Sequence, residues 1–380
     1  MAMQATPTLR ETIYNSFVLI DDPRASNRAH PLETVLFSII VGVMCGGDGF
    51  VGAARLALVK EKFIRRYVAV PNGIPTHDTM ARVLGVLDPK QFCQAFATFM
   101  SLLTKHSANE IINIDGKTLR GAVNKKAVAY AAAEDQVHMV SAMDAVQGVV
   151  LAQLRSTSVA NEVKAAQDLI EMLNIGGSVV TLDAAHTVGK TLALIASRGG
   201  EVVVGVKANA GSLFAGIEAA FVQGAAQAIE DTEHGHGRVE HRKYEFVAAS
   251  GKAVSKTFMT LQTFVRVTRQ RIHPTGPISE ERISYYGTSM PLGEYLRISR
   301  CVRSRWTIEN SLHYVLDVAF GEDGCRVRTK NAAENLSRIR HITLSLIHED
   351  KTEKVGMNLK RLVAYGDEAY LARLLRLRRE

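Results

Sequence analysis

The first hundred residues carry apolar side chains at helical spacing. His30-Pro31 precedes the run LETVLFSIIVGVMC, with Pro at the first helical position, and Thr76 and Asp88-Pro89 are typical helix starts. Asn72-Gly73 marks a loop between them. The pattern predicts a helical N-terminal domain over residues 1–108. Its basic residues could bind DNA, although a solvated surface explains them more simply; they are Lys60, Lys62, Arg65 and Arg66.

After residue 110 the pattern changes to short apolar runs separated by turn signals, which predicts strands. These runs lie at 111–114, 137–143, 148–154, 178–182 and 201–206. Apolar residues recur at helical spacing in three places: at 161–173, after Asp183 up to about Ser197, and at 212–229. Strands that alternate with helices in this way predict an α/β core with mixed strand directions, whose first part covers residues 109–230.

The remaining chain changes character twice more. Strand-like pieces at 244–249, 263–270 and 281–289 predict a β-rich insertion over residues 231–290. From Pro291 the spacing returns to helical, so residues 291–350 form the second part of the core. Residues 351–380 read as a basic helical tail.

Two aspartates follow buried strands. Asp115 comes after the run Ile111–Ile114, and Asp183 comes after residues 178–182. We therefore expect the first strand to stop with Asp115 at its carboxyl end, where open α/β sheets bind ligands. If the two strands are neighbours, the carboxylates can converge on Mg²⁺ or Mn²⁺. A helix N-cap explains either aspartate alone about equally well.

A third carboxylate lies on a predicted helix. Apolar spacing in RSRWTIENSLHYVLDVAF places Arg305 and Glu309, four residues apart, on one face near Trp306 and His313. Glu309 could complete a three-carboxylate site. Taken alone, Arg305 and Glu309 would be a surface ion pair.

The charge and cysteine content narrow the class of protein. The net charge is +8, and residues 297–380 hold 17 Lys and Arg against 11 Asp and Glu. This excess favours a polyanionic partner, nucleic acid before acidic membrane, with plain surface solvation as the alternative. The four cysteines lack CxxC spacing, so we read them as packing residues in a reducing compartment. No apolar run is long enough to span a bilayer, which predicts a cytoplasmic protein.

Two other motifs suggest rival functions. AAHTVGKT at 184–191 fits a permissive P-loop pattern, which would make the protein an ATPase or GTPase. It has no glycine before Gly189 to turn successive amides toward a phosphate. HGHGRVEH at 234–241 suggests zinc through its histidines, but its glycines and the adjacent strand favour a turn.

The ordered motifs resemble one known family. DGKTLRGA at 115–122, HMVSAM at 138–143, TLDAAHT at 181–187, GHGRVE at 235–240 and RWTIENSLHYVLDVAFGEDGCRVR at 305–328 are similar to the DDE transposases of bacterial insertion sequences. The ISAs-type subgroup, which includes the H-repeat-associated proteins, looks most similar. The resemblance also includes DDPR at 21–24 and GIPTHDTMARVLGVLDP at 73–89, so it spans nearly the whole chain.

The resemblance implies a ribonuclease H-like core in which Asp115, Asp183 and Glu309 are the catalytic, metal-binding acids. They would hold two Mg²⁺ or Mn²⁺ ions about 4 Å apart, without an organic cofactor. The implied partner is double-stranded DNA, both the terminal inverted repeats of the element and the target. The implied state is a homo-oligomer on DNA in the bacterial nucleoid, with no membrane contact.

The resemblance also implies roles for basic residues and histidines. Arg305 matches the Arg of the family's Tyr-Arg-Glu-Lys signature, whereas Val302 and Leu316 replace its Tyr and Lys. Val188 likewise replaces a frequent Gln. An inactive or domesticated DNA-binding relative is therefore the alternative. The expected DNA contacts are Lys117, Arg120, Lys207, Arg238, Arg242 and Arg305. Further cations follow the catalytic helix and could contact the DNA backbone, or could simply be charge on a helix surface; they are Arg326, Arg328, Lys330, Arg338 and Arg340. His186 and His313 are expected near the acids, where they either orient the carboxylates or serve in packing.

Overall fold

The computed structural model describes residues 20–103, 111–122, 137–156, 158, 161–225, 227–235, 237–249, 256–272 and 281–377. These residues form a mixed α/β fold with a large mixed sheet. The chain divides into two compact units. Unit 1 comprises Met1–His106, Gly116–Ala165 and Glu309–Glu380, and unit 2 comprises Ser107–Asp115 and Ala166–Ile308. The five-domain division expected from the sequence stays a prediction.

The helices and strands have the following bounds. The helices are α1 Leu32–Met44, α2 Phe50–Val59, α3 Glu61–Ile64, α4 His77–Val86, α5 Pro89–Leu103, α6 Glu162–Met172, α7 Gly189–Ser197, α8 Gly211–Val222, α9 Tyr295–Thr307, α10 Tyr314–Phe320, α11 Ala332–Glu349, α12 Met357–Gly366 and α13 Glu368–Leu374. The strands are β1 Ile111–Thr118, β2 His138–Asp144, β3 Val149–Ser156, β4 Val179–Leu182, β5 Glu201–Val206, β6 Gln227–Gly235, β7 Arg238–Ala248, β8 Thr263–Ile272 and β9 Arg282–Thr288.

Unit 1 packs around helix α11, which is buried along residues 332–347. It contacts α1, α4, α5 and strand β3. Helix α1 begins directly after Pro31, as predicted, and the Thr76 hydroxyl accepts from the Thr79 amide at the start of α4. Strands β2 and β3 form the predicted hairpin, whose turn contains Gly148 at a φ of +70°. The helical pattern in residues 32–103 is therefore confirmed at the level of individual elements.

Unit 2 contains a sheet in which β1, β4 and β5 run parallel. Strand β9 pairs antiparallel with β5, and β8, β7 and β6 follow in antiparallel order. The full strand order is β3-β2-β1-β4-β5-β9-β8-β7-β6, with β1 shared by both units. The strands expected as a β-rich insertion thus extend the same sheet by backbone pairing.

Two element boundaries predicted from the sequence are wrong. Strand β1 continues to Thr118, so Asp115 lies within the strand and not at its end. The extension follows from its neighbour β2, since the hairpin side continues to pair after β4 has ended at Leu182. The helix expected at 212–229 stops at Val222, because Gly224 adopts a φ of +105° and residues 227–229 begin β6.

Among the described residues, no helix is both long and apolar enough to cross a membrane. Cys45, Cys93 and Cys301 are buried and Cys325 is half-buried, all as free thiols. Their placement agrees with the expectation that they are packing residues.

Candidate active site

The first two predicted acids belong to neighbouring strands. Strand β1 pairs in parallel with β4, with Ile111 opposite Val179 and Asn113 opposite Thr181. Continuing this register by two residues brings Asp115 level with Asp183. Both carboxylates belong to unit 2, and both are partly accessible to solvent. The condition set by the sequence, that these two strands be neighbours, is met.

Buried polar groups fix the register just before the two aspartates. The Thr181 hydroxyl donates to the Asn113 side-chain oxygen at 2.6 Å. The Asn113 amide donates to the Ser304 carbonyl of α9 at 2.7 Å. Asn113 and Thr181 are fully buried, so a one-residue slip would leave both without their partners. Asn113 and Thr181 were not predicted from the sequence, although a polar Asn within an isoleucine run is a usable signal.

Asp183 also has the structural role that was its alternative explanation. Its Oδ1 accepts from the Ala185 amide at 2.9 Å and so caps the short 3₁₀ turn Ala184–His186. The buried His186 ring places Nε2 3.9 Å from the same oxygen. The cap fixes the direction of the carboxylate, and a capping role does not exclude a ligand role.

Glu309 lies in a part of the helix that the sequence pattern did not reveal. Helices α9 and α10 are joined by a π-helical segment, Ile308–His313, and the half-buried Glu309 is its second residue. Such segments are rare and occur frequently at functional sites. Residues four apart share a face in an α-turn and in a π-turn alike, so the expectation that Arg305 and Glu309 share a face of the helix stays a prediction.

Burial controls the ionisation of His313 in the same segment. It lowers the pKa of this imidazole to about 3, with a further contribution from the nearby Lys117 charge. His313 is therefore neutral at physiological pH. Its expected place beside the acids stays a prediction.

Lys117 is paired inside unit 1. Its ammonium donates to Asp317 at 2.6 Å and to Asp323 at 2.9 Å, and its side chain is only 10% exposed. Burial acts to lower the pKa of Lys117, but the carboxylates of Asp317, Glu322 and Asp323 outweigh burial and raise it. The charge of Lys117 is thus balanced within the protein, which is not the position expected for a DNA phosphate contact.

Gly116, the residue before Lys117, packs closely against a hydrogen-bonded pair, His138 and Glu162. A Cβ on Gly116 would lie 2.5 Å from His138 Nε2 and 2.6 Å from Glu162 Cδ. The His138 ring hydrogen-bonds Glu162 at 2.9 Å and Thr118 at 2.9 Å. This histidine–glutamate pair was not identified from the sequence, although His138 lies in a motif that carries the family resemblance.

The other predicted DNA contacts fall into two groups. Arg338 and Arg340 are each 1% exposed, so their expected contact with DNA is wrong. Arg338 donates to Glu334 at 3.2 Å, and Arg340 lies 3.6 Å from Glu322. By contrast, the remaining predicted cations whose side chains are described and exposed stay candidates; they are Arg120, Lys207, Arg326, Arg328 and Lys330. The side chain of Arg238 lies outside the described residues.

The donor chemistry fits a hard divalent cation only in part. Carboxylate oxygens are the ligands that Mg²⁺ or Mn²⁺ prefers, and Asp115 and Asp183 each follow a residue pair of the β1–β4 register by two positions. Within the described ranges, however, no group of three His, Cys, Asp or Glu side chains is close enough to hold a metal ion. The role of the two aspartates as metal ligands therefore stays a prediction. The same finding gives no support to zinc at residues 234–241.

The P-loop alternative conflicts with the packing at the start of α7. A Cβ on Gly189 would lie 2.5 Å from the carbonyl oxygen of Thr257. The backbone of another segment therefore fills the space next to this helix start, where a P-loop would hold phosphate.

Comparison with known proteins identifies the family. A DDE_Tnp_1-associated region matches residues 14–100, and the Transposase DDE domain matches residues 106–346. The chain is 30% identical over 363 residues to the "H repeat-associated putative transposase YhhI" of Escherichia coli K12, covering 91% of this chain and 92% of that protein. It is 29% identical over 384 residues to YbfL of the same organism, covering 97% and 98%.

Among solved structures, a piggyBac transposase synaptic complex with hairpin DNA shows a weak likeness, with a TM-score of 0.45 and 10% identity over 97% of this chain and 77% of that chain. The Transposase DDE domain covers well over half of the sequence. The resemblance read from the motifs is therefore confirmed, and the chain belongs to the DDE transposases, among relatives that include H repeat-associated proteins.

Proposed function

We propose that this chain is a metal-dependent transposase that cleaves DNA at the ends of its element and joins the resulting 3′-hydroxyl to target DNA. The observation that supports the proposal most directly is the β1–β4 register, which pairs Asn113 with Thr181, two residues before Asp115 and Asp183 respectively. Family membership supports the reaction class.

Glu309 is the third acid in this proposal. Asn113 and Lys117 flank Asp115 on one face of β1, because alternate residues of a strand share a face. Within unit 2, Asn113 contacts Ser304, which precedes Glu309 in the chain. Within unit 1, Lys117 contacts Asp317, which follows Glu309 on α10. The assignment of Glu309 itself rests on the family resemblance.

Asp115, Asp183 and Glu309 would hold Mg²⁺ or Mn²⁺, in one or two sites. Such ions, when bound, activate a water or a 3′-hydroxyl and stabilise the leaving oxygen of an in-line displacement. The protein itself supplies rigidity: the Asn113–Thr181 hydrogen bond fixes the strands, and the Ala185 amide orients Asp183.

The fold and partners of the proposal follow from the family. We propose a ribonuclease H-like core, supported by the order β3-β2-β1-β4-β5 with β1, β4 and β5 parallel. The five-domain division is kept as part of this proposal. Its DNA partners would be the terminal inverted repeats and the target, bound by a homo-oligomer.

Cleavage of a duplex that carries an element end tests the proposal. Paired inverted repeats beside the gene would supply that sequence. We expect Mg²⁺-dependent nicking that is abolished by Asp115→Asn, Asp183→Asn and Glu309→Gln. The matched control Glu171→Gln changes an exposed acid on α6 and should leave nicking unchanged.

Two results would contradict the assignment. Nicking that survives Asp115→Asn or Glu309→Gln would refute the proposed acids. A wild-type protein that binds element ends but nicks nothing in Mg²⁺ or Mn²⁺ would favour the non-catalytic DNA-binding relative. Mn²⁺ binding, followed by the EPR signal of the free ion, gives a readout independent of activity and should fall with the same three variants.

A further inference from the structure

Three arginines lie directly opposite one another on three neighbouring strands of unit 2. The β7–β8 register places Arg242 opposite Arg269, and the β8–β9 register places Arg269 opposite Arg282. Directly opposed residues of an antiparallel pair project from the same face with Cβ atoms about 5 Å apart. Like charges in such positions are destabilising. This arginine row therefore needs anions to neutralise it.

The protein neutralises only one end of the arginine row. Arg242 is buried and lies 3.0 Å from Glu233 and 3.7 Å from Asp231. Among the described residues, neither Arg269 nor Arg282 has a carboxylate within ion-pair distance. Burial lowers the pKa of Arg269, and so does the neighbouring Arg271 charge; the Glu240 carboxylate, which pairs with Arg242 and Arg271, offsets only part of this effect. Keeping Arg269 positively charged therefore costs free energy, and a bound anion would reduce this cost.

The indole of Trp306 contacts Arg269 and a further cation, Arg305. The Arg269 guanidinium carbon lies 5.6 Å from the centroid of the Trp306 ring, and that of Arg305 lies 5.1 Å from it. The Nε of Arg305 is buried without a hydrogen-bond partner in the part of the chain that the structure describes. Cation–π contacts use the face of a guanidinium and leave its edge N–H donors for an acceptor.

We propose that Arg269 and Arg282, with Arg305 held beside them by Trp306, form a surface that binds consecutive backbone phosphates of double-stranded DNA. Arg305 already has a phosphate role by family resemblance; Arg269, Arg282 and the ordering role of Trp306 are new. Guanidinium groups match phosphate oxygens in a bidentate geometry, and each phosphate neutralised relieves repulsion within the row. The choice of DNA as the polyanion rests on the proposed function, whereas the surface itself needs no cleavage chemistry.

Trp306 is the single tryptophan of the chain, so its fluorescence reports on this surface directly. The full-length protein is titrated with duplex DNA in EDTA, where cleavage cannot occur. We expect a saturable change in Trp306 emission. Arg269→Ala and Arg282→Ala should each weaken binding roughly tenfold and lower the slope of log K against log salt by about 0.9.

Two further variants sharpen the titration. Arg269→Lys keeps the charge but loses the planar fork, so binding should be intermediate while the salt slope is retained. Arg198→Ala removes an exposed cation at the end of α7, away from the row's strands, and should leave affinity and slope unchanged. Because removing Arg269 or Arg282 relieves repulsion, both alanine variants should melt at or above the wild-type temperature, which guards against a folding artefact.

Several outcomes would overturn the proposal. These are unchanged affinity and salt slope in both alanine variants, a Trp306 emission that does not respond to DNA, or a loss of binding to phosphatidylserine vesicles without any loss toward DNA. Failure of the proposed catalysis is distinguishable, since Asp115→Asn should still bind DNA and shift Trp306 emission. If the wild-type protein binds DNA but does not nick it, the proposed catalysis is contradicted, whereas the proposed DNA-binding surface is not.

Discussion

Arginines in the interior of unit 1 are paired with neighbouring side chains, whereas two arginines on the outer strands of unit 2 have no carboxylate within ion-pair distance among the described residues. On α11, Arg338 is 1% exposed and is bound by Glu334 and by Asn335, which accepts at 2.8 Å. On β8 and β9, Arg269 and Arg282 face each other and no acid within the described residues pairs with them. The same residue type thus supports packing in one region and leaves unneutralised charge in the other.

This difference shows that the net charge of +8 does not locate a nucleic-acid surface. The last quarter of the chain contains much of the basic excess, yet two of its arginines, Arg338 and Arg340, are buried on α11. Unpaired cations, identified by strand register and the absence of nearby acids, are the better guide to DNA contacts.

The comparison is tested most strongly by Arg338→Ala. Among the described residues, this change leaves Glu334, which is 3% exposed, with Arg155 at 3.5 Å as its remaining ion-pair partner. Breaking a buried ion pair of this kind should lower the free energy of unfolding by about 3–5 kcal/mol. Urea denaturation measures the loss. The control Arg282→Ala should change it by less than about 0.5 kcal/mol; equal losses would erase the contrast.

Lys117→Met should have the next largest effect. It removes two hydrogen bonds between charged groups, which contribute about 1.5–3 kcal/mol each where they are well formed. We expect the free energy of unfolding to fall by an amount in that range, while the salt slope of DNA binding stays at the wild-type value. The exposed Lys207→Met is the control for stability. A lower salt slope in Lys117→Met would restore its earlier expected role as a phosphate contact.

Gly121→Ala tests the close packing of unit 1. A Cβ at this position would collide with the carbonyl oxygen of Cys325 and lie 2.8 Å from that of Asp323. Backbone atoms cannot move aside as a side chain can, so we expect a loss of about 1–3 kcal/mol in urea denaturation. In the open strands of unit 2, Gly235→Ala meets no atom within 4 Å and should lose nothing.

The smallest effect concerns pH and His313. Its folded pKa of about 3 lies below the unfolded value, so between those two values the unfolded chain binds more protons. Stability should therefore fall as pH drops below about 6.5, by at most about 1.4 kcal/mol per pH unit, and should be flat above it. Urea midpoints at about pH 5.5 and about pH 7.5 should lie closer together in His313→Gln than in the exposed His234→Gln. Burial also lowers the pKa values of His30, His341 and His348, so part of the pH dependence remains in both variants. Identical pH dependence in the two variants would contradict a buried, neutral His313.

Local sequence signals were sufficient for most element types. Pro31 marked the start of α1, and alternation around Gln147-Gly148 marked the β2–β3 hairpin. Local signals did not predict element ends that depend on a neighbouring strand. Strand β1 is an example, because its extension to Thr118 depends on β2. Local signals also failed at residues 308–313, since apolar spacing alone does not distinguish an α-turn from a π-turn.

The sequence by itself determined the family, the position of Asp183 directly after a buried strand, and the alternation of helices and strands, because these depend on residues close together in the chain. Only the tertiary structure decided that β1 and β4 are parallel neighbours and that Lys117 and Arg338 are paired with carboxylates inside the protein. It also decided that, among the described residues, no carboxylate lies within ion-pair distance of Arg269 or Arg282. The physical reason is that pairing and burial of charge depend on which distant segments become neighbours, and no local pattern encodes that choice.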